Sequence, residues 1–253
     1  MSSAVLLTRS DADNQRLAAK LGAIGIPTVS VPLLHIVELD ETPEQQRLML
    51  DLDRYHAVMV VSPVAARLGL ERLDACWPQP PVGMHWFAVG EATASVLQAY
   101  GLSVHIPESG QDSEGLLRLA IWYELLSRPD LKVLIWRGVG GREHLANQVR
   151  AAGGQVDYLE LYRRDAPEGL ARQLESVTQA GVGGIVLSSG QGLEHWHIAA
   201  GEHWAELSHW RCWVPSQRVA DRARELGCSD IIVCEGADDS AVLAAIAAHP
   251  LTR

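Results

Sequence analysis

Seven segments of the chain share one pattern: an apolar run ends, small or polar residues follow, and a helical pattern begins. They are Thr8-Arg9-Ser10, Ser62-Pro63, Gly90-Glu91-Ala92-Thr93, Asp112-Ser113, Arg137-Gly138, Ser188-Ser189-Gly190 and Pro215-Ser216-Gln217-Arg218. The chemistry they offer is anion recognition. A helix N-terminus presents unpaired N–H groups, hydroxyls add polar donors, and arginine adds a planar fork that matches a carboxylate or phosphate. Arg9, Arg137, Arg142 and Arg218 are the cations at these places. Taken singly, each segment reads equally well as a local helix cap or a turn, because Ser, Thr and Asp favour N-cap positions for reasons of their own.

Residue patterns that would mark other chemistries do not form. Gly138-Val139-Gly140-Gly141-Arg142-Glu143 is not a dinucleotide fingerprint and has no phosphate-loop lysine. Neither GxSxG nor HExxH occurs. Glu194, His195 and His197 are spaced so that a helix splits them across faces, which makes surface polarity a better reading than a metal site. Of 21 basic residues only Lys20 and Lys132 are lysines, one in a predicted helix and one at a strand start, poor places for a Schiff base. An enzyme built from this chain would work by positioning and electrostatics. Tyr162 stands apart: it ends a predicted strand and is followed by Arg163 and Arg164. It reads either as an interface tyrosine or as a functional group.

The elements that must carry these residues alternate. Short apolar runs are predicted as strands at Val5–Leu7, Val29–Val31, Ala57–Val61, Trp86–Val89, Val104–Ile106, Val133–Trp136, Val156–Leu161, Gly184–Leu187, Cys212–Val214 and Ile231–Val233. Helical patterns lie between most of them, as over Asp11–Leu21, Ala92–Tyr100, Arg142–Ala152 and Val219–Leu226. This alternation predicts parallel sheets made of βαβ units. The pattern also repeats. At an offset of 128, Arg9 meets Arg137, Leu17 meets Leu145, Leu21 meets Val149 and Gly25 meets Gly153, while Tyr162 replaces Leu34. Val60-Val61-Ser62-Pro63 returns as Val186-Leu187-Ser188-Ser189, and the segment from Val89 to Gly101 returns as Val214 to Gly227, both at offset 126. Asp112-Ser113 returns as Asp239-Ser240 at offset 127. The middle of the chain holds the Ser, Gly and Arg blocks in that order, whereas the remainder has its Arg block at the N-terminus and the other two at the C-terminus. Two similar parallel-sheet α/β lobes are expected: residues 1–36 with 168–253, and residues 42–160. The chain crosses twice, through 37–41 and 161–167, as a two-stranded hinge. In open α/β sheets ligands bind beyond the carboxyl ends of the strands, so each lobe should turn a rim of donors toward a shared cleft.

Composition narrows the field further. The chain has 253 residues, 47% hydrophobic and 21% charged, as expected of a globular protein, and a net charge of -10. That balance argues against a nucleic-acid partner. The four cysteines show no CxxC pair and are expected as buried apolar residues. The N-terminus has no secretory pattern, and no apolar run approaches the ~20 residues that cross a bilayer. A cytoplasmic protein with no membrane partner is expected.

The ordered set of motifs resembles the uroporphyrinogen-III synthase family, in its bacterial form, over essentially the whole chain. The resemblance rests on Leu6-Leu7-Thr8-Arg9, Ser62-Pro63, Val89-Gly90 with Thr93-Ala94, Arg137-Gly138 with Gly141-Arg142-Glu143, Leu161-Tyr162-Arg163, Leu187-Ser188-Ser189, and Val214-Pro215-Ser216 with Arg218-Val219-Ala220. It implies a bilobed, monomeric enzyme without a cofactor. It implies that hydroxymethylbilane, a linear tetrapyrrole, loses its terminal hydroxyl to give an azafulvene. Ring D then attacks through its substituted α-carbon and, by way of a spiro intermediate, closes inverted. Tyr162 is implied as the group that assists departure of the hydroxyl. Substrate-binding residues are expected at Arg9, Ser62, Thr93, Ser113, Arg137, Gly138, Arg142, Ser188, Ser189, Ser216 and Arg218, with the simple Gly-Thr pattern lost at Pro215-Ser216-Gln217. A passing contact with the enzyme that supplies the bilane is a further expected partner. The rival reading is a two-lobed cytoplasmic binding protein for an anionic small molecule, which the same rims would serve.

Overall fold

The computed structural model describes residues 3–107, 113–141 and 143–251. Eleven strands appear among them: β1 Ala4–Leu7, β2 Thr28–Ser30, β3 His35–Glu38, β4 Ala57–Val60, β5 His85–Ala88, β6 Val104–His105, β7 Lys132–Gly138, β8 Gln155–Asp165, β9 Val182–Val186, β10 Arg211–Val214 and β11 Ile231–Val233. They form a five-stranded sheet in the order β11-β10-β9-β1-β2 and a six-stranded sheet in the order β3-β8-β7-β4-β5-β6. Every register pair within β1, β2 and β9–β11, and within β4–β8, is parallel. The chain divides into two compact units, residues 1–35 with 165–253 and residues 36–164, so it crosses between them twice.

Each sheet is covered by helices on both faces, because its strands are apolar on both sides. In the second unit Val58, Val60, Leu134 and Trp136 face one core, with the helices Pro63–Cys76 and Glu91–Ala99. Ala57, Met59, Val133 and Ile135 face the other, with Ala120–Leu126 and His144–Ala151. In the first unit Leu6, Ile185 and Cys212 pack under Gly190–Ala200 and Gln217–Glu225. Val5, Leu7, Val186 and Trp213 pack under Asp11–Ala23 and Asp239–Ala248. Successive strand residues alternate between cores, as the two-residue strand period requires.

The two sheets are equivalent strand for strand. Taking β9, β10, β11, β1 and β2 with β4, β5, β6, β7 and β8 reproduces one spatial order in both, and β3 is an addition to the second sheet. The glycines paired by the repeat follow equivalent helices with left-handed backbone: Gly25 and Gly153 at φ 78° and 85°, Gly101 and Gly227 at φ 99° and 96°. An L side chain is strained in that conformation. No helix among the described residues is long and apolar enough to cross a membrane.

Candidate functional site

Each sheet reverses its direction of winding between two central strands, β4 and β7 in one unit and β9 and β1 in the other. Crevices open at the carboxyl ends of such strands. Ser62 and Gly138 lie just beyond or at the ends of β4 and β7, and Thr8 and Ser188-Ser189 lie beyond β1 and β9.

At the β4/β7 crevice, the side chain of Tyr162 is 1% exposed, and its hydroxyl lies 3.0 Å from Ser62 Oγ. Arg164 donates from Nη2 to the same phenolic oxygen at 3.0 Å, with its guanidinium 5.3 Å from the ring centre. Ser62 also caps the helix Pro63–Cys76, its Oγ accepting from Ala65 N at 3.1 Å. Gly138 makes the cluster possible. A Cβ there would lie 2.6 Å from Tyr162 Cε2, and an irregularity in the β7/β8 register between Arg137 and Gly138 sets Gly138 against Tyr162. Arg164 was not among the expected site residues. Its signal was the spacing: residues i and i+2 of a strand share a face.

At the β9/β1 crevice, Thr8 is buried and donates through Oγ1 to Val186 O at 2.6 Å, tying the two central strands together. Buried Asn14, also not foreseen, fixes the turn after β1. Its Nδ2 donates to Leu7 O and Arg9 O, and its Oδ1 accepts from Arg9 N. Ser189 caps Gly190–Ala200 through Gly192 N. Nearby, a groove of about 860 Å³ is lined by Ser189, Arg218 and Arg222 together with the carboxylates of Glu194, Asp221 and Glu225.

The four expected arginines have different surroundings. Arg9 is 10% exposed and pairs with Asp239 at 2.7 Å, while its Nη2 donates to Ala237 O. Asp239 also meets Arg16 and Lys20, and these charge-assisted bonds, Arg16 foremost, hold its carboxyl far below the usual range. Arg137 lies 3.8 Å over the Tyr158 ring and bonds Glu143 and Glu160. Tyr158 donates to Glu143, and with Arg137 and Arg150 it lowers that carboxyl to about 2. Arg9 and Arg137 therefore brace the turns after β1 and β7 and do not stand as open cations. Among the described residues Arg218 makes no ion pair, and it faces the groove. Arg142 lies outside the described residues, as does Asp112; Ser113 opens the short helix Ser113–Leu116.

Two matching helix starts, Gly90 before Glu91–Ala99 and Ser216 before Gln217–Glu225, carry no side-chain cap. These are equivalent positions in the two units. Their first N–H groups thus remain available to an anion. Thr93 is buried in the first turn of the Gly90 helix. Ser188 and Ser216 are partly exposed at their strand ends. Glu194, His195 and His197 diverge: Glu194 pairs with Arg222, His195 donates from Nδ1 to Leu33 O, and His197 packs on Trp204.

Residues 15–244 match the sequence family described as HEM4, uroporphyrinogen-III synthase HemD. A Salmonella typhimurium protein named uroporphyrinogen-III synthase is 34% identical over 252 residues, covering 96% of this chain and 99% of that protein. Its Escherichia coli namesake is 31% identical over 256 residues, with the same coverage. Two crystal structures are similar in fold, each with a TM-score of 0.61. The first, a mutant uroporphyrinogen III synthase of Thermus thermophilus, is 16% identical and covers 96% of this chain and 97% of that one. The second, the Helicobacter pylori synthetase, is 14% identical and covers 97% and 99%. With the family matched over most of its length and relatives this similar along nearly all of it, the chain belongs to the uroporphyrinogen-III synthase family.

Proposed function

We propose that this protein converts hydroxymethylbilane to uroporphyrinogen III and water, a lyase reaction that inverts ring D, in haem biosynthesis. The observation that carries this reading beyond family membership is the polar cluster at the β4/β7 crevice. There a phenol, a serine hydroxyl and a guanidinium meet at the place where parallel sheets bind ligands.

The reaction needs little conventional machinery. The bilane is reactive and closes by itself to the symmetric isomer. The protein must assist loss of the hydroxyl and hold the chain so that inverted closure wins, which is a task of orientation and electrostatics. Tyr162 assists departure of the hydroxyl, and Gly138 keeps the room its ring occupies. The donors suited to the acetate and propionate side chains of the substrate are, in one unit, the N–H groups at the Gly90 helix start with the Thr93 hydroxyl and, in the other, those at the Ser216 helix start with the hydroxyls of Ser188 and Ser189 and with Arg218. Arg9 and Arg137 contribute by fixing the neighbouring turns after β1 and β7. Arg142 and Ser113 are kept as binding residues on the strength of the resemblance alone. The net charge of -10 does not oppose this, because charges farther than ~8 Å are screened at physiological salt.

The test is turnover of freshly generated hydroxymethylbilane, read as the ratio of the two porphyrin isomers after oxidation. Isomer III well above the protein-free control supports the reading; isomer I alone, from folded protein, removes it.

A further inference from the structure

Tyr162 has the chemistry to give a proton but not the access. Its side chain is 1% exposed, within the core formed by Val60, Ala65, Trp136 and Leu161. Ser62, 3.0 Å away, is partly exposed at the end of β4. We propose that Ser62 is the catalytic residue that protonates the departing hydroxyl, and that Tyr162 and Arg164 act through it as a relay. This rests on the reaction assigned above.

The hydrogen bonds set the direction. Arg164 can only donate, so the phenolic oxygen accepts from it. If Ser62 donated to the phenol as well, the Tyr162 proton would be left buried and unpaired, which is costly. The phenol therefore donates to Ser62 Oγ. That oxygen already accepts from Ala65 N at 3.1 Å. With both lone pairs of Ser62 engaged, its own O–H is left to face the rim, and it is the one hydroxyl of the cluster that can.

In the step itself, Ser62 transfers its proton to the substrate oxygen, and the C–O bond breaks as the pyrrole nitrogen pushes electrons toward the methylene carbon. Water leaves. Ser62 takes the Tyr162 proton, and the phenolate is held by the Arg164 guanidinium in a charge-assisted bond. When the ring closes, the unsubstituted α-carbon of ring D loses a proton. That proton returns through Ser62 to Tyr162, so the relay ends as it began and water is the net product.

The experiment compares wild type with Ser62→Gly, Ser62→Thr, Tyr162→Phe and Ser62→Gly/Tyr162→Phe on fresh hydroxymethylbilane, measuring kcat, KM and isomer ratio, with thermal melting as the folding control. Glycine is chosen because it too is tolerated as an N-cap. The expected result is a fall in kcat of about a hundredfold for Ser62→Gly and for Tyr162→Phe, the scale of lost acid catalysis. KM should change little, the double variant should be no slower than the slower single, and Ser62→Thr should recover most of the rate. Ser62→Gly within about twofold of wild type while Tyr162→Phe is slow would overturn the relay and place the phenol directly on the substrate. So would losses that multiply in the double variant, since groups acting as one unit are not additive. A wild type that yields isomer I alone removes the assigned reaction, and the relay with it.

Discussion

Arginine 218 differs from the other arginines of the rims in what surrounds it. Arg9 and Arg137 are each neutralised by carboxylates, whereas Arg218 has no carboxylate partner among the described residues. Arg218→Ala should therefore raise KM about tenfold or more, the scale of one hydrogen bond to a charged group. kcat and melting temperature should stay near wild type; a variant with unchanged KM would exclude Arg218 from substrate binding. Residue types at the site were legible in the sequence, and so were their places at strand ends. Their partners were not. The Arg9–Asp239 pair spans 230 residues, and only the packed sheet brings the turn after β1 to the helix Asp239–Ala248. The burial of Tyr162 was equally invisible, because it depends on the lack of a side chain at Gly138, on a different strand.

At the scale of elements, two junctions govern the rims. The first is the β7/β8 irregularity at Gly138. Gly138→Ala would drive a methyl group to within 2.6 Å of the Tyr162 ring, closer than real Cβ contacts come. Overpacking of this kind costs about 1–3 kcal/mol. We expect a lower melting temperature together with a kcat loss approaching that of Tyr162→Phe; normal kinetics would show that the ring can shift without consequence. The second junction is Asp239, which joins the helix it opens to Arg9, Arg16 and Lys20. Its carboxyl is depressed in the folded protein, chiefly by Arg16. Its contribution is therefore complete above the unfolded value of about 4 and is lost as pH falls through the lower folded value. Asp239→Asn should destabilise the protein by about 3 kcal/mol at pH 7, as expected when a nearly buried charge loses its partner. The deficit should shrink as the pH is lowered below about 4, and equal deficits by urea unfolding at pH 7 and pH 3 would contradict the assignment. The strand cores of both sheets were legible from apolar runs. A two-stranded hinge was expected from the paired crossings at 37–41 and 161–167, but not its bounds, since β3 spans His35–Glu38 and β8 runs unbroken from Gln155 to Asp165 beside it.

For the whole molecule, the repeat explains why one chain carries two rims. Strand order is the same in both sheets, although in the first unit the Arg-block strand β1 comes from the N-terminus and β9–β11 come from the C-terminal part of the chain. This was the most legible feature of the sequence, since glycines and apolar residues recur at nearly fixed offsets and their structural reasons recur too. What the repeat cannot specify is the difference between the halves. Tyr162 meets Leu34, so the phenol and its arginine belong to one crevice only, whereas the serine recurs in the other as Ser188. The most direct test is the isomer assay followed over time. Fresh hydroxymethylbilane is mixed with protein, quenched at intervals and oxidised, and the porphyrins are separated. Isomer III is expected to form in proportion to protein concentration, faster than spontaneous closure, with isomer I suppressed. Isomer I appearing at the spontaneous rate, from protein that melts cooperatively, would contradict it.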